Sequence, residues 1–305
     1  MRKLLLIICL IGQTVFAQQI EIKSVEKLKG TEAGGYYHPV FSPDGSSLLT
    51  SSENYAGLKK ISMKTNDIMT LTQDAGAGFD VKISRDGSEI LFKKTEMVNN
   101  LRYTSLYKYS TVDKKVEKIE KATREKLSPF FEGNRIAYVK GKSLVKDKNT
   151  LKSSGATEVV PFINIEDQKM ALYNGDTKKI LLPNGPDASY FWASVSPDRK
   201  HIVYTVAGRG TFVCKIDGSG VKSLGKLNAP VWLNNKWVIG MNDKDNGDFI
   251  LSSEIIAITI DGKIREALTV PHVKIAMYPS VSGDGKHIAF NTDKGEIYLL
   301  DINIK

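Results

Sequence analysis

The chain has 305 residues, 41% of them hydrophobic and 25% charged. That apolar share excludes a disordered chain and suffices for a sizeable core; an all-β fold of this length can be one domain. The formal charge of +9 would admit an anionic partner, but lysines are spread along the sequence, so the excess reads as solvated surface and no nucleic-acid partner is expected.

Met1, Arg2 and Lys3 form a short basic start, an apolar run covers residues 4–12, and Val15, Phe16 and Ala17 end it with small residues. This pattern predicts a secretory signal peptide over residues 1–17, cut after Ala17, and a periplasmic or secreted protein. The run is too short to anchor in a membrane, and Cys9 lies inside it, which argues against a lipoprotein. Cleavage leaves +7 and a single cysteine, Cys214, so the mature monomer has no disulfide. Cys214 sits in an alternating strand pattern over residues 211–216 and is expected to be a buried structural thiol.

After the cleavage point, residues 20–28 alternate apolar and polar, as a half-buried strand does. A phrase then recurs: Val40-Phe41-Ser42-Pro43-Asp44-Gly45 followed by an apolar strand from Leu48. It reads as strand, tight turn, strand, with Pro43 setting φ, Asp44 bonding its own backbone and Gly45 taking φ > 0. Ser84-Arg85-Asp86-Gly87, Ser196-Pro197-Asp198-Arg199 and Ser282-Gly283-Asp284-Gly285 repeat it, and weaker copies centre on Gly133 and Asn234. The six markers lie 42, 47, 65, 36 and 50 residues apart. Short strands at that period signal propeller blades. The expectation is therefore a six-bladed all-β propeller of four-stranded antiparallel blades over residues 18–305, with almost no helix. Its blades would cover residues 36–72, 79–119, 127–182, 190–224, 229–268 and 277 onward. The long third blade carries a polar insertion at residues 146–155. Because the last blade is one strand short, the N-terminal strand is predicted to become its outer strand and close the ring.

Ser-Pro-Asp-Gly followed by an apolar strand resembles the repeats of the TolB-type β-propeller family, a relative of the WD-repeat fold. Leu71-Thr72, closing the first repeat, and Ile216-Asp217-Gly218, closing a hairpin in the fourth, are similar to that family too. The resemblance covers about residues 36–304 and implies fold rather than function. TolB itself carries an α/β domain ahead of its propeller, for which residues before 36 leave no room; the expectation is a propeller of this type other than TolB.

In such a ring the Ser-x-Asp-Gly turns lie on one face. The opposite face receives the longer second-to-third-strand loops and the crossings between blades, and function concentrates on such loops. That face is expected to carry Tyr36, Tyr37, His38, Arg102, Tyr103, Tyr190 and Arg209 around the channel mouth as binding residues, with the tyrosines as anchors. Phe79, Phe191 and Trp192 are expected to pack between blades. Of the four histidines only His38 is placed at the channel entrance, while His201 and His287 follow the turns on the other face. One imidazole makes no metal site, and neither a nucleophilic triad nor a Gly-x-Ser-x-Gly is legible, so no catalytic residue is assigned. Asp243, Asp245 and Asp248 offer oxygen ligands that suit calcium, the one cofactor candidate. Gly247 falls a place early for an EF-hand loop and the segment reads better as a solvated loop, so no cofactor is expected.

The favoured function is an exported, non-enzymatic module that binds a protein or a cell-envelope glycan on the loop-rich face. It is expected to be monomeric and not membrane-spanning. The alternatives are a glycan lyase or hydrolase with its site at the central channel, and an accessory module of an envelope complex.

Overall fold

The repeated turn is a closed hydrogen-bond unit. Ser42 Oγ donates to Asp44 Oδ1 at 2.6 Å and accepts the Ser47 N–H at 3.0 Å. Asp44 Oδ1 also accepts the Ser46 N–H at 3.1 Å, and the Ser42 carbonyl accepts the Gly45 N–H at 2.9 Å. Ser84–Asp86, Ser196–Asp198 and Ser282–Asp284 reproduce the hydroxyl–carboxylate bond at 2.6 Å each. The following residue is left-handed every time: Gly45, Gly87 and Gly285 at φ 70°, 72° and 71°, and Arg199 at 62°. The unit satisfies the polar groups of the reversal locally and leaves both flanking strands free to pair.

The computed structural model describes residues 19–133, 135–147, 159–268 and 270–305. Those residues form 26 strands and no helix. Strand β1 (Ile20–Lys27) precedes the repeats. Blade 1 is β2 (Tyr37–Phe41), β3 (Ser47–Ser51), β4 (Leu58–Ser62) and β5 (Ile68–Thr72). Blade 2 is β6 (Lys82–Ile83), β7 (Glu89–Val98), β8 (Leu101–Ser110) and β9 (Val116–Thr123). Blade 3 shows β10 (Leu127–Glu132), β11 (Arg135–Lys140) and β12 (Ser143–Lys146). Blade 4 shows β13 (Phe162–Glu166), β14 (Lys169–Asn174) and β15 (Thr177–Leu181). Blade 5 is β16 (Tyr190–Val195), β17 (His201–Val206), β18 (Gly210–Lys215) and β19 (Lys222–Gly225). Blade 6 is β20 (Asn228–Trp232), β21 (Trp237–Asp245), β22 (Ile250–Thr259) and β23 (Arg265–Ala267). Blade 7 is β24 (Ala276–Val281), β25 (His287–Thr292) and β26 (Ile297–Ile304), with β1 as its outer strand.

The propeller thus has seven blades among the described residues, not six. The stretch expected as one long third blade is two. The interval of 65 residues between Gly133 and Asp198 hides a blade whose first reversal lacks the serine and glycine of the motif. That reversal is Asp167-Gln168, at φ 46° and 62°, which closes the β13–β14 hairpin between Glu166 and Lys169. Two left-handed residues make the twist of a tight hairpin without any glycine. Of the expected polar insertion, residues 148–155 lie outside the described residues, as does the expected signal peptide.

Ring closure takes the predicted form. β1 runs antiparallel to β26, from Ile20 opposite Ile304 to Lys27 opposite Tyr298. Ile20 is wholly buried in the cluster that joins blades 6 and 7. Apolar layers between neighbouring blades make up the core. Leu49 and Leu58 meet Val81, Ile90 and Phe92; Phe130 stacks on Phe162 at 4.3 Å; Val203 and Val213 meet Leu227 and Val238. Cys214 is buried beside Tyr190 and Tyr204, and burial pushes its thiol up to about 12. No helix is long and apolar enough to cross a membrane among the described residues.

Because the turn aspartates bond only locally, Asp44→Ala and Asp284→Ala should each lower stability by about 1 kcal/mol without affecting ligand or partner binding. Hydrogen bonds from Ser42 and Ser46 hold the Asp44 carboxyl at about 2, below its ordinary 3.8. A depressed folded value means its contribution is intact above the ordinary value and is lost as pH falls towards about 2. Urea unfolding of wild type and Asp44→Ala should therefore differ at neutral pH and converge in acid; a difference that persists or grows in acid contradicts this account.

Candidate functional site at the channel mouth

Inner strands of a propeller crowd together around the channel, and here their first residues share a backbone device. His38, Asp80, Trp192 and Tyr278 each lie six positions before a turn aspartate, and all four are left-handed, at φ 54°, 59°, 49° and 52°. Ala229 of blade 6 joins them at φ 46°. In blades 1, 5, 6 and 7 the ladder slips at this place: between Tyr37 and Val40, Phe191 and Ser194, Asn228 and Val231, Met277 and Ser280. The result is a bulge that lifts one side chain per inner strand out of the sheet alternation. A non-glycine residue there costs on the order of 1–2 kcal/mol, and such strain gathers where a side chain has to be aimed.

Two of the aimed side chains, His38 and Tyr278, meet. His38 stacks on Tyr55 at 3.8 Å and lies 4.5 Å from Tyr278, while Tyr55 meets Phe79 edge-on at 5.2 Å. The imidazole is fixed by Nε2 against the Glu53 carbonyl at 3.0 Å, and Asn291 Oδ1 accepts the His38 N–H at 3.0 Å. Burial lowers the His38 pKa against the opposing pull of Glu53, so the ring is neutral at pH 7. Burial, with the Tyr278 hydroxyl nearby, pushes Tyr55 up to about 12. Tyr278 is raised by burial and by the carboxylates of Asp243 and Glu53. The mouth is therefore lined by an uncharged aromatic wall over blades 7, 1 and 2.

Beside that wall Asp80 pairs with Lys82 at 2.7 Å and with Lys93 at 3.3 Å. Burial opposes the Asp80 charge, and the two ammonium groups outweigh it, leaving the carboxyl below its ordinary range. Lys93 is buried, lies 4.5 Å over the Phe79 ring and donates to the Leu127 carbonyl at 3.3 Å. Further round, Lys126 donates to the Ile165 carbonyl at 2.8 Å and to Asn164 Oδ1 at 3.4 Å.

Only some expected site residues reach the mouth. His38 is at its centre. Tyr37 is buried and donates to the Asp293 carbonyl at 3.2 Å; Tyr36 lies under the Lys59 ammonium at 4.4 Å. Tyr190 is 1% exposed, accepts the Asn184 N–H and donates to the Gly185 carbonyl, so it is core. Tyr103 is half-buried on β8 beside Arg102, and Arg209 donates to the Asn184 carbonyl at 3.3 Å. Phe79 and Trp192, expected to pack between blades, are instead 48% and 43% exposed. Asp243 lies buried on β21, accepts from Asn228 Nδ2 at 2.7 Å and pairs with Lys226 at 3.4 Å. Asp245 faces the same lysine at 3.8 Å and Asp248 is exposed at the hairpin tip. Among the described residues no group of three or more His, Cys, Asp or Glu is placed to hold a metal.

Two features escaped the sequence reading. The β7–β8 and β21–β22 hairpins run long on this face and end in apolar tips. Met97 is 66% exposed at one and Phe249 is 73% exposed at the other, with Val98, Leu101 and Leu251 also exposed. The Asn99-Asn100 pair, both left-handed, is the one signal that could have marked the first tip.

A ring of blades around a mouth of this kind defines a β-propeller. Its likenesses among solved structures agree. TolB from Acinetobacter baumannii superposes with a TM-score of 0.53 at 15% identity over 80% of this chain; the match spans 56% of TolB, little more than half its length. A chain of the mitotic checkpoint complex superposes with a TM-score of 0.60 at 9% identity over 99% of both chains. An oligogalacturonate lyase in complex with manganese, 14% identical over 88% of this chain and 78% of that one, reaches only 0.49 and is too distant to bear on function. No protein-family model matches the sequence, and no curated protein does. At these identities the likeness establishes the β-propeller fold and leaves activity to be argued from the site.

A His38 kept neutral by the fold ties stability to pH. Its folded pKa lies below the ordinary 6.5, so its contribution is intact above that value and is lost as pH falls through the folded one. His38→Asn, which suits a left-handed position, should therefore lose less stability than wild type between neutral pH and about pH 5. Equal losses in denaturant melts would show that His38 is not the group.

Proposed function

We propose that this chain is an exported, non-enzymatic binding propeller whose loop-rich face docks a protein or an envelope glycan. The observation that carries this reading is the wall of His38, Tyr55, Phe79 and Tyr278, with Trp192 exposed on the inner strand of blade 5. Aromatic groups held rigid before a partner arrives lose little entropy on binding and dominate interface energies. The two apolar hairpin tips rise on the same face and enlarge the area a partner can cover. Export rests on the basic and apolar pattern of residues 1–17. Among the described residues the opposite face, built of short hydrogen-bonded turns, has no comparable aromatic wall.

Tyr55→Ala and Trp192→Ala should each weaken partner capture by roughly 1–3 kcal/mol while melting like wild type. His201→Ala and His287→Ala, beside the turns, should leave capture unchanged. The assay is pull-down from envelope extract with all four variants, scored with thermal melts. Retention of every partner by both aromatic variants, or selective loss in the histidine variants, would place the site elsewhere.

A further inference from the structure

A second feature of this face differs in chemistry from the aromatic wall. A cavity of about 310 Å³ between blades 2 and 3 is lined by Phe79, Lys93, Arg102, Arg124, Glu125 and Lys126. The end of the β8–β9 ladder, where Thr104 pairs with Thr123, builds it. Arg102 stands on β8 where the long hairpin pairs it with Met97. Arg124, Glu125 and Lys126 are the crossing from β9 to β10. Lys93 is the buried floor, and its ammonium is held between Asp80 and the Leu127 carbonyl.

The charges do not balance. Four cationic residues line the cavity and Glu125 is its one lining carboxylate, while Asp80 pairs with Lys93. Glu125 is drawn off towards Lys140 at 3.9 Å, and Asp80 is shared with Lys82 at 2.7 Å. Neither Arg102 nor Arg124 has a carboxylate partner among the described residues. Burial lowers the pKa of Lys93, and it does the same for Lys126, whose ammonium tucks towards blade 4 although the residue as a whole is exposed. Crowded, partly desolvated cations with two free guanidinium forks are stabilised by a bound oxyanion, which accepts from both forks and relieves the mutual repulsion.

We propose that this cavity binds a small ligand carrying a dianionic oxyanion, either a phosphate monoester or a dicarboxylate. Arg102 and Arg124 grip its oxygens, Lys93 supplies the positive floor, and the half-exposed Phe79 ring covers its uncharged part. Phe79 borders both features, but neither arginine belongs to the aromatic wall, so the arginines report on this site alone.

The test is calorimetric titration of the mature chain, residues 18–305, at low salt with inorganic phosphate, a hexose 6-phosphate and succinate. One equivalent of at least one probe should bind saturably. Preference for the phosphates or for succinate then identifies the source of the dianion. Arg102→Gln and Arg124→Gln should each weaken that binding about tenfold or more at unchanged melting temperature. Lys200→Gln and Lys286→Gln, which remove the same charge on the turn face, should leave it unchanged. No saturable binding by any probe, or equal weakening by the turn-face variants, overturns the proposal. Tyr55→Ala and Trp192→Ala should leave titration with inorganic phosphate intact, which separates this site from the partner surface.

Discussion

Everything in this molecule depends on one strand pairing across the whole chain. β1 adds to β26 and makes the last blade complete, joining the beginning of the fold to its end. Without it β26 would present an open row of donors and acceptors, the kind of edge that recruits other chains. The pairing is reinforced at its start, where the Glu266 carboxylate on β23 accepts the Gln19 and Ile20 N–H groups at 2.7 and 2.9 Å. Ile20 then fills the apolar layer between blades 6 and 7. The joint is thus both a sheet ladder and a core contact, and it reaches from blade 7 into blade 6.

Closure has a geometric consequence at the channel. Inner strands that converge cannot all begin in regular pairing, and the left-handed bulge at His38, Trp192, Ala229 and Tyr278 is how they begin instead. The same device that eases the crowding aims a side chain at the mouth. The two faces therefore have different characters. On one, serine and aspartate satisfy four of the reversals locally and leave little to offer a partner. On the other, strain, aromatic groups and uncompensated cations collect.

How legible this was in the sequence depended on whether a feature was local. The Ser-x-Asp-Gly turn is a complete local unit, so the propeller, its strands and the closing strand could be read from it. The fourth blade could not, because Asp167 and Gln168 reverse the chain through their left-handed backbones alone. Which face carries the long loops was also local knowledge, since it follows from the direction of each strand. Which aromatics stand open on that face is not. Tyr190 and Trp192 are two residues apart on one strand, yet the bulge sends one into the core and the other into solvent. The cluster Asp243, Asp245 and Asp248 looked like a loop because its polar residues mask a hairpin whose apolar character appears only at Phe249. The basic cavity brings Arg102 beside Arg124 at the end of the β8–β9 ladder, past a register shift between Thr104 and Leu106 that the sequence does not mark.

The central claim is that the loop-rich face, and not the turn face, meets the partner. Its most direct test is photo-crosslinking in cells expressing the full chain, with a photoreactive phenylalanine analogue placed singly at Trp192, Phe249, Lys200 or Lys286. The account predicts discrete higher-mass adducts from the Trp192 and Phe249 positions and none from Lys200 or Lys286. Adducts from the turn-face positions alone would contradict it.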